Sequence, residues 1–224
     1  MSIKLWKESL KKYNDVNNFK YLITAAKKID KTITVYDTET TGLIHDDNFG
    51  IFELGCFHVT PNGSLYYSTI RCNPNKIITN KIIEITGVDP KDLINRETFD
   101  KTMAEAINHF RTNHILFGFN NIDFDSKGIE KDFKRYNLKL AKVENGEYDL
   151  RSGEKFLTGD KSLKGKLHEI CRKYGIEITN SELHGAGYDS FITAMLLDRL
   201  IGIYGIDIIT NKIIASNFQK PLRF

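Results

Sequence analysis

The chain has no run approaching the ~18 consecutive apolar residues of a membrane span. Its N-terminus is charged and lacks an apolar core segment, which argues against a secretory signal. Cysteine is scarce: Cys56, Cys72 and Cys171 are the three in 224 residues, and no Cys-x-x-Cys pair occurs. That count argues against a disulfide framework and against a zinc site, and points to a reducing, cytoplasmic location. There are only four prolines, no internal repeat and no low-complexity segment, so nothing marks a second folded domain. Net charge is only +3, with 27% of residues charged, so neither sign dominates. A polyanionic partner is compatible with that balance but not required by it. At 41% hydrophobic, the chain suits one domain with a substantial core.

Periodicity divides the chain into an N-terminal helical extension (1–30), a main domain (31–206) and a C-terminal tail (207–224). In the extension, Ile3, Trp6, Leu10 and Tyr13 fall at helical spacing, and Phe19, Leu22, Ile23 and Ala26 repeat it. The pattern predicts an amphipathic helix or two over 3–28, packed on the core. Strands are predicted at 32–37, 51–60, 64–71 and 114–119, with a short fifth near 147–150. Pro61-Asn62-Gly63 predicts a hairpin turn between the second and third. Helices are predicted at 98–111, 125–136, 161–174 and 188–204. The fold class is therefore α/β, a mixed central sheet of about five strands flanked by helices.

Three segments carry chemistry. The first is Asp37-Thr38-Glu39 at the end of the first predicted strand. Side chains two apart on a strand leave the same face, so Asp37 and Glu39 point together. Paired carboxylates repel, and a hard divalent cation relieves the repulsion. Thr40, Thr41, Gly42 and Leu43 follow as a tight turn whose backbone can approach a ligand closely. The second segment is Asn121-Ile122-Asp123-Phe124-Asp125, where a strand passes into a helix and Asp125 falls in the first turn. The helix dipole favours a negative charge there. The third is His184-Gly185-Ala186-Gly187-Tyr188-Asp189, a glycine-flanked histidine five positions before an Asp that opens the last helix. Taken singly, an Asp-x-Glu before a turn, two helix-capping Asp residues and a loop histidine are ordinary structural features.

Taken in order, the three segments resemble the motifs of the DEDD, or DnaQ-like, superfamily of 3′→5′ exonucleases. Position 185, four before Asp189, is glycine and not the tyrosine of the sister branch, so the histidine-containing branch is the nearer match. Gly118-Phe119-Asn120-Asn121 lacks a histidine before Asn121, and in this it is closer to exonuclease I-like members than to proofreading subunits. The resemblance covers roughly 32–204 and implies a ribonuclease H-like fold. It implies that Asp37, Glu39, Asp125 and Asp189 hold two divalent cations, Mg²⁺ or Mn²⁺, and that His184 takes the proton from the attacking water. It places the terminal nucleotide against Thr40, Thr41, Gly42 and Leu43, with Asn121 also in the substrate site. The implied activity is release of nucleoside 5′-monophosphates from the 3′ ends of single-stranded DNA, in replication, proofreading or repair.

An exoribonuclease of the oligoribonuclease or ribonuclease T kind is the alternative, because no residue identifies a reader of the 2′-hydroxyl. A non-catalytic nucleic-acid-binding module is a third reading. Retention of all five motif residues argues against it. At the C-terminus, Gln219, Leu222 and Phe224 resemble the short peptides that bind bacterial sliding clamps. The competing reading is a loosely packed tail.

Overall fold

Ile33-Thr34-Val35-Tyr36 is a β-branched and aromatic run, and it begins the central strand β2 (Ile33–Thr40). β2 pairs antiparallel with β3 (Ile51–Val59) and parallel with β5 (Ile115–Gly118). All nine residues of β3 are buried, and the strand continues through a hairpin into β4 (Leu65–Arg71). Gly63 closes that hairpin with φ +84, a conformation that favours glycine, and Thr60 N–H donates to Ser64 O at 3.0 Å. The computed structural model describes residues 10–14, 16–158, 165–178 and 185–207. Among them the mixed sheet has six strands in the order β1-β4-β3-β2-β5-β6, with β1 at Lys11–Tyr13 and β6 at Glu147–Asp149.

Helices cover both faces of this sheet. They are α1 (Lys20–Ile29), α2 (Asn80–Thr86), α3 (Lys91–Ile94), α4 (Phe99–Thr102), α5 (Ala104–Asn113), α6 (Asp125–Arg135), α7 (Leu150–Thr158), α8 (Leu167–Lys173) and α9 (Ala186–Tyr204). The two-residue period of β2 sends alternate side chains into different cores. Ile33 and Val35 join Phe57, Phe117, Leu196, Leu197 and Leu200 beneath α1 and α9. Tyr36 joins Leu54, Leu116, Phe110 and Ile129 beneath α5 and α6. Residues 17–29 are tied to the last helix by buried Asp198, whose Oδ1 accepts from Leu22 N–H at 2.8 Å at the start of α1.

Several boundaries differ from the sequence prediction. Lys11–Tyr13 is an edge strand paired with Leu65–Tyr67, not part of an amphipathic helix, so the sheet gains a sixth strand. Only tertiary pairing gives so short a segment its conformation. The helix predicted over 98–111 is divided at Met103 into α4 and α5. Helix α2 was not predicted, although Thr79 accepts from Ile82 N–H at its start and Gly87 ends it at φ +66. The short α3 and the helix α7 after β6 were also unforeseen. Among the described residues no helix is long and apolar enough to cross a membrane.

One buried polar cluster on the α5 side has a consequence for stability. Thr34 Oγ1 lies 2.9 Å from His58 Nδ1 and 2.7 Å from His114 Nδ1. Burial, reinforced by repulsion between neighbouring imidazoles, lowers the pKa of His58 to about 3 and that of His114 to about 4. Both rings are therefore neutral in the fold. A base held below its unfolded pKa contributes stability above that pKa and loses it as pH falls toward the folded value. His58→Gln cannot titrate there. Its stability relative to wild type should rise as pH falls from 6.5 to 4, by up to ~1.4 kcal/mol per pH unit. Urea denaturation across this window measures the difference, and a pH-independent offset would be the contrary result.

Candidate active site

Asp37 and Glu39 leave β2 on the same face as Val35, toward α9, while Thr38 points to the opposite face. The strand bulges between Glu39 and Thr40, where it leaves the sheet. Asp189 stands in the first turn of α9. Asp37, Glu39 and Asp189 bring one carboxylate oxygen each within 4.8 Å of one another, and all three keep part of their surface open to solvent.

Close backbone contact brings Asp189 to this point. Gly55 lies opposite Asp37 in the β2–β3 register. A Cβ at Gly55 would stand 2.0 Å from the Ala186 carbonyl oxygen, and one at Gly187 would stand 2.3 Å from Thr69 Oγ1. Glycine at both positions lets the N-terminal turn of α9 rest directly on β3 and β4. Gly55 did not stand out as functional in the sequence, whereas Gly187 did, as part of the glycine-flanked segment that carries His184 and not as a packing contact.

Asp125 enters from the other face of the sheet, at the start of α6. Its Oδ1 accepts from Thr38 N–H at 2.9 Å and from Thr38 Oγ1 at 2.5 Å, so its carboxylate is fixed in orientation beside the other three. Burial raises the Asp125 pKa to about 7, with the two Thr38 hydrogen bonds opposing the shift. Protein packed around Asp37 strips its water and raises its pKa well above the carboxylate range, with repulsion from Asp125, Glu39, Asp189 and Glu53 adding to the effect. Glu39 is raised for the same leading reason, followed by repulsion from Asp189, Glu53 and Asp125. Two unit charges at this separation repel by about 4 kcal/mol at an effective dielectric near 20. The cluster therefore favours either bound protons or a cation. Three converging carboxylates, with Asp125 near enough to Asp37 to repel it, and no sulfur or imidazole beside them among the described residues, fit a hard divalent ion.

A pocket of about 500 Å³ opens beside the carboxylates, lined by Thr40, Thr41, Gly42, Leu43, Phe124 and the α2 residues Lys81, Ile82, Ile85 and Thr86, among others. Thr41 Oγ1 donates to Asn48 O, and Lys131 Nζ donates to the Ile44 and Asp46 carbonyls, which holds the turn in place. Leu43 is 56% exposed at the rim. Asn121 is a correction: it is fully buried, with Nδ2 directed to Tyr36 Oη and Glu147 Oε1, so it braces the β5–α6 loop and does not line the pocket. Phe124 lines the pocket, whereas Phe52 lies in a small core cluster with Val88 and Leu93. The wall formed by α2 was missed because its boundary signals are short. Glu53 and Arg71 were also missed. They sit beside Glu39 in adjacent strands, and Arg71 Nε donates to Glu53 Oε2 at 2.5 Å. His184, Gln219, Leu222 and Phe224 lie outside the described residues.

Two outcomes follow from this geometry. Gly55→Ala must push α9 off the sheet and separate Asp189 from Asp37. Divalent-cation affinity measured by titration calorimetry should fall roughly 10–100-fold, as for loss of other residues that orient ligands. Unchanged affinity would show that the contact does not position the carboxylates. Asp37→Asn removes one ionisable group from the crowded cluster, so in chelator, at a pH high enough to ionise the carboxylates, the variant should melt above wild type, by about 2–4 °C for each kcal/mol of repulsion relieved. A saturating divalent cation should reverse the order.

A family model described as Exonuclease (RNase_T) matches residues 34–197. Among curated proteins, the chain is 26% identical over 174 residues to a DNA polymerase III subunit epsilon of Buchnera aphidicola, covering 73% of this chain and 72% of that one. It is 31% identical over 175 residues to a DNA polymerase III PolC-type of Halalkalibacterium halodurans, covering 77% of this chain but only 12% of the polymerase. Among solved structures, E. coli Exonuclease I in complex with a dA16 oligonucleotide superposes with a TM-score of 0.63 at 17% identity, over 77% of this chain and 41% of that one. Exonuclease X in complex with 5′ overhanging duplex DNA gives a TM-score of 0.60 at 18% identity, over 81% and 99%. The matched model spans most of the chain and contains β2, α6 and the first turns of α9, the elements that bear the four carboxylates. The chain accordingly belongs to this exonuclease family of the DEDD superfamily and has a ribonuclease H-like fold.

Proposed function

We propose that the enzyme removes nucleoside 5′-monophosphates from the 3′ ends of single-stranded DNA, in replication or repair. The observation that carries this reading is the convergence of Asp37, Glu39 and Asp189 within 4.8 Å beside a pocket large enough for one nucleotide. Asp37, Glu39, Asp125 and Asp189 would hold two Mg²⁺ or Mn²⁺ ions, which supply a lowered water pKa and neutralise charge on the phosphate and leaving oxygen. Asp125, held by Thr38, keeps its carboxylate aimed at the cluster. Thr41 and Leu43 bracket the sugar and base of the terminal nucleotide, with Phe124 and Ile85 as apolar walls.

His184 is the general base in this reading, following the spacing to Asp189 that the histidine branch shares. An imidazole near neutral pKa can accept the proton of the attacking water. Gly185 beside it has extended backbone, φ −116 and ψ 128, at the point where the chain enters α9.

The test uses a 5′-end-labelled oligodeoxynucleotide with Mg²⁺. Stepwise shortening should be abolished by EDTA and restored by Mg²⁺ or Mn²⁺. It should also be blocked by a 3′-phosphate and be indifferent to a 5′-phosphate. Cutting of circular single-stranded DNA, or undiminished cleavage in EDTA, would overturn the reading. A matched RNA oligomer that is shortened faster than the DNA would move the substrate to RNA while leaving the chemistry in place.

A further inference from the structure

A second groove, of about 540 Å³, lies over β3 and β4 against the first turns of α9. Thr86 of α2 lines both this groove and the terminal-nucleotide pocket, so the two share a wall. The sheet register lays out the floor of this groove in rows. Glu39 pairs with Glu53, and Glu53 with Arg71. Asp37 pairs with Gly55, and Gly55 with Thr69. In the next row Phe57 pairs with Tyr67, and Tyr67 with Lys11 of the edge strand β1. Side chains at these alternating positions share the face that carries Asp37 and Glu39. Moving outward from the carboxylates, the surface therefore offers an arginine, a threonine, a tyrosine and a lysine.

The chemistry of that sequence suits a polyanion with flat bases. Arg71 lines the groove with its guanidinium held at the Glu53 carboxylate, which fixes its plane while 38% of the side chain stays exposed. Glu53 itself is 3% exposed, so a nearly buried carboxylate anchors the cation. Tyr67 is 37% exposed, and Lys11 Nζ lies 5.9 Å from its ring centroid. Tyr13 and Tyr188 complete an aromatic wall, with Tyr13 packed edge-on against Phe191 at 5.4 Å. Aromatic faces with cations at hand are the general form of a single-strand path, because every base has a π-face and every phosphate a charge; here Arg71 is paired with Glu53 in the groove lining, and Lys11 stands next to the groove at the Tyr67 ring.

We infer that this groove holds the nucleotides on the 5′ side of the scissile phosphate, with Arg71 and Lys11 contacting the backbone and Tyr67 supporting a base. The inference rests on the exonuclease reading above and extends it to the path of the strand. It also gives the edge strand β1 a role. Lys11–Tyr13 adds a wall to the substrate groove as well as a sixth strand to the sheet.

The test compares two substrates on the full chain with Mg²⁺. Thymidine 5′-(p-nitrophenyl phosphate) fills the terminal-nucleotide pocket and has no nucleotide beyond the scissile bond. A single-stranded decanucleotide fills both regions. The readout is the ratio of kcat/KM for the decanucleotide to that for the ester. Tyr67→Ala, at a half-exposed position, should lower the ratio roughly tenfold, in line with loss of one base stack. Lys11→Glu, at an exposed position, should raise KM for the decanucleotide more than for the ester and flatten its dependence on salt. Melting temperatures confirm that both variants are folded. An active wild type whose ratio is unmoved by either substitution would overturn the groove assignment alone. A wild type that hydrolyses neither substrate would remove the exonuclease reading and the groove assignment with it.

Discussion

The site depends on one backbone contact, the first turn of the last helix lying directly on Gly55 of the second long strand. A methyl group there would meet the Ala186 carbonyl at 2.0 Å, so no other residue permits the approach without a shift. The helix behind that turn is anchored by buried Ile192, Leu196, Leu197 and Leu200, each worth roughly 1.5–3 kcal/mol of burial. Apolar packing along the helix thus presses Asp189 against Asp37 and Glu39, despite a repulsion of about 4 kcal/mol per charged pair. The stored repulsion makes the cluster ready for a cation.

The remaining carboxylate arrives by different means. The two-residue period of β2 puts Asp37 and Glu39 on the α9 face and Thr38 on the α6 face. Thr38 then fixes Asp125 through its backbone N–H and its hydroxyl. A single strand therefore organises both halves of the cluster, two residues by carrying them and one by hydrogen-bonding it. This is why β2 sits at the centre of the sheet, with β3 on one side, β5 on the other and helices on both faces. The bulge at Glu39/Thr40 then turns the chain into the wall of the nucleotide pocket.

Outward from the cluster the negative charge is offset. Glu53 adds a fifth carboxylate beside Glu39, but Arg71 is bonded to it, so negative charge is confined to the metal ligands. A phosphate chain approaching the four proposed metal ligands would be repelled unless cations lay along its route. Arg71 and Lys11 supply them from the neighbouring strands, and the aromatic rings around them supply surface for bases. The same face of one sheet thus holds the ligands for metal and the path proposed for the substrate.

The sequence by itself determined the chemistry. Asp-x-Glu on a strand, an Asp at a helix start and an Asp five residues after a histidine are local patterns whose geometry follows from strand and helix periods. The long strands, the hairpin at Gly63 and helices α6 and α9 were legible for the same reason, since each buries a regular face. Only the tertiary structure decided which neighbours those residues have. It turned Asn121 inward as a loop brace, because its amide finds Tyr36 and Glu147 at a position sealed from solvent. It made Lys11–Tyr13 a strand, because so short a segment takes its conformation from the β4 edge that it pairs with. It brought Glu53, Arg71 and Tyr67 to the carboxylates, because cross-strand register depends on how the whole sheet assembles and is not a property of any one segment.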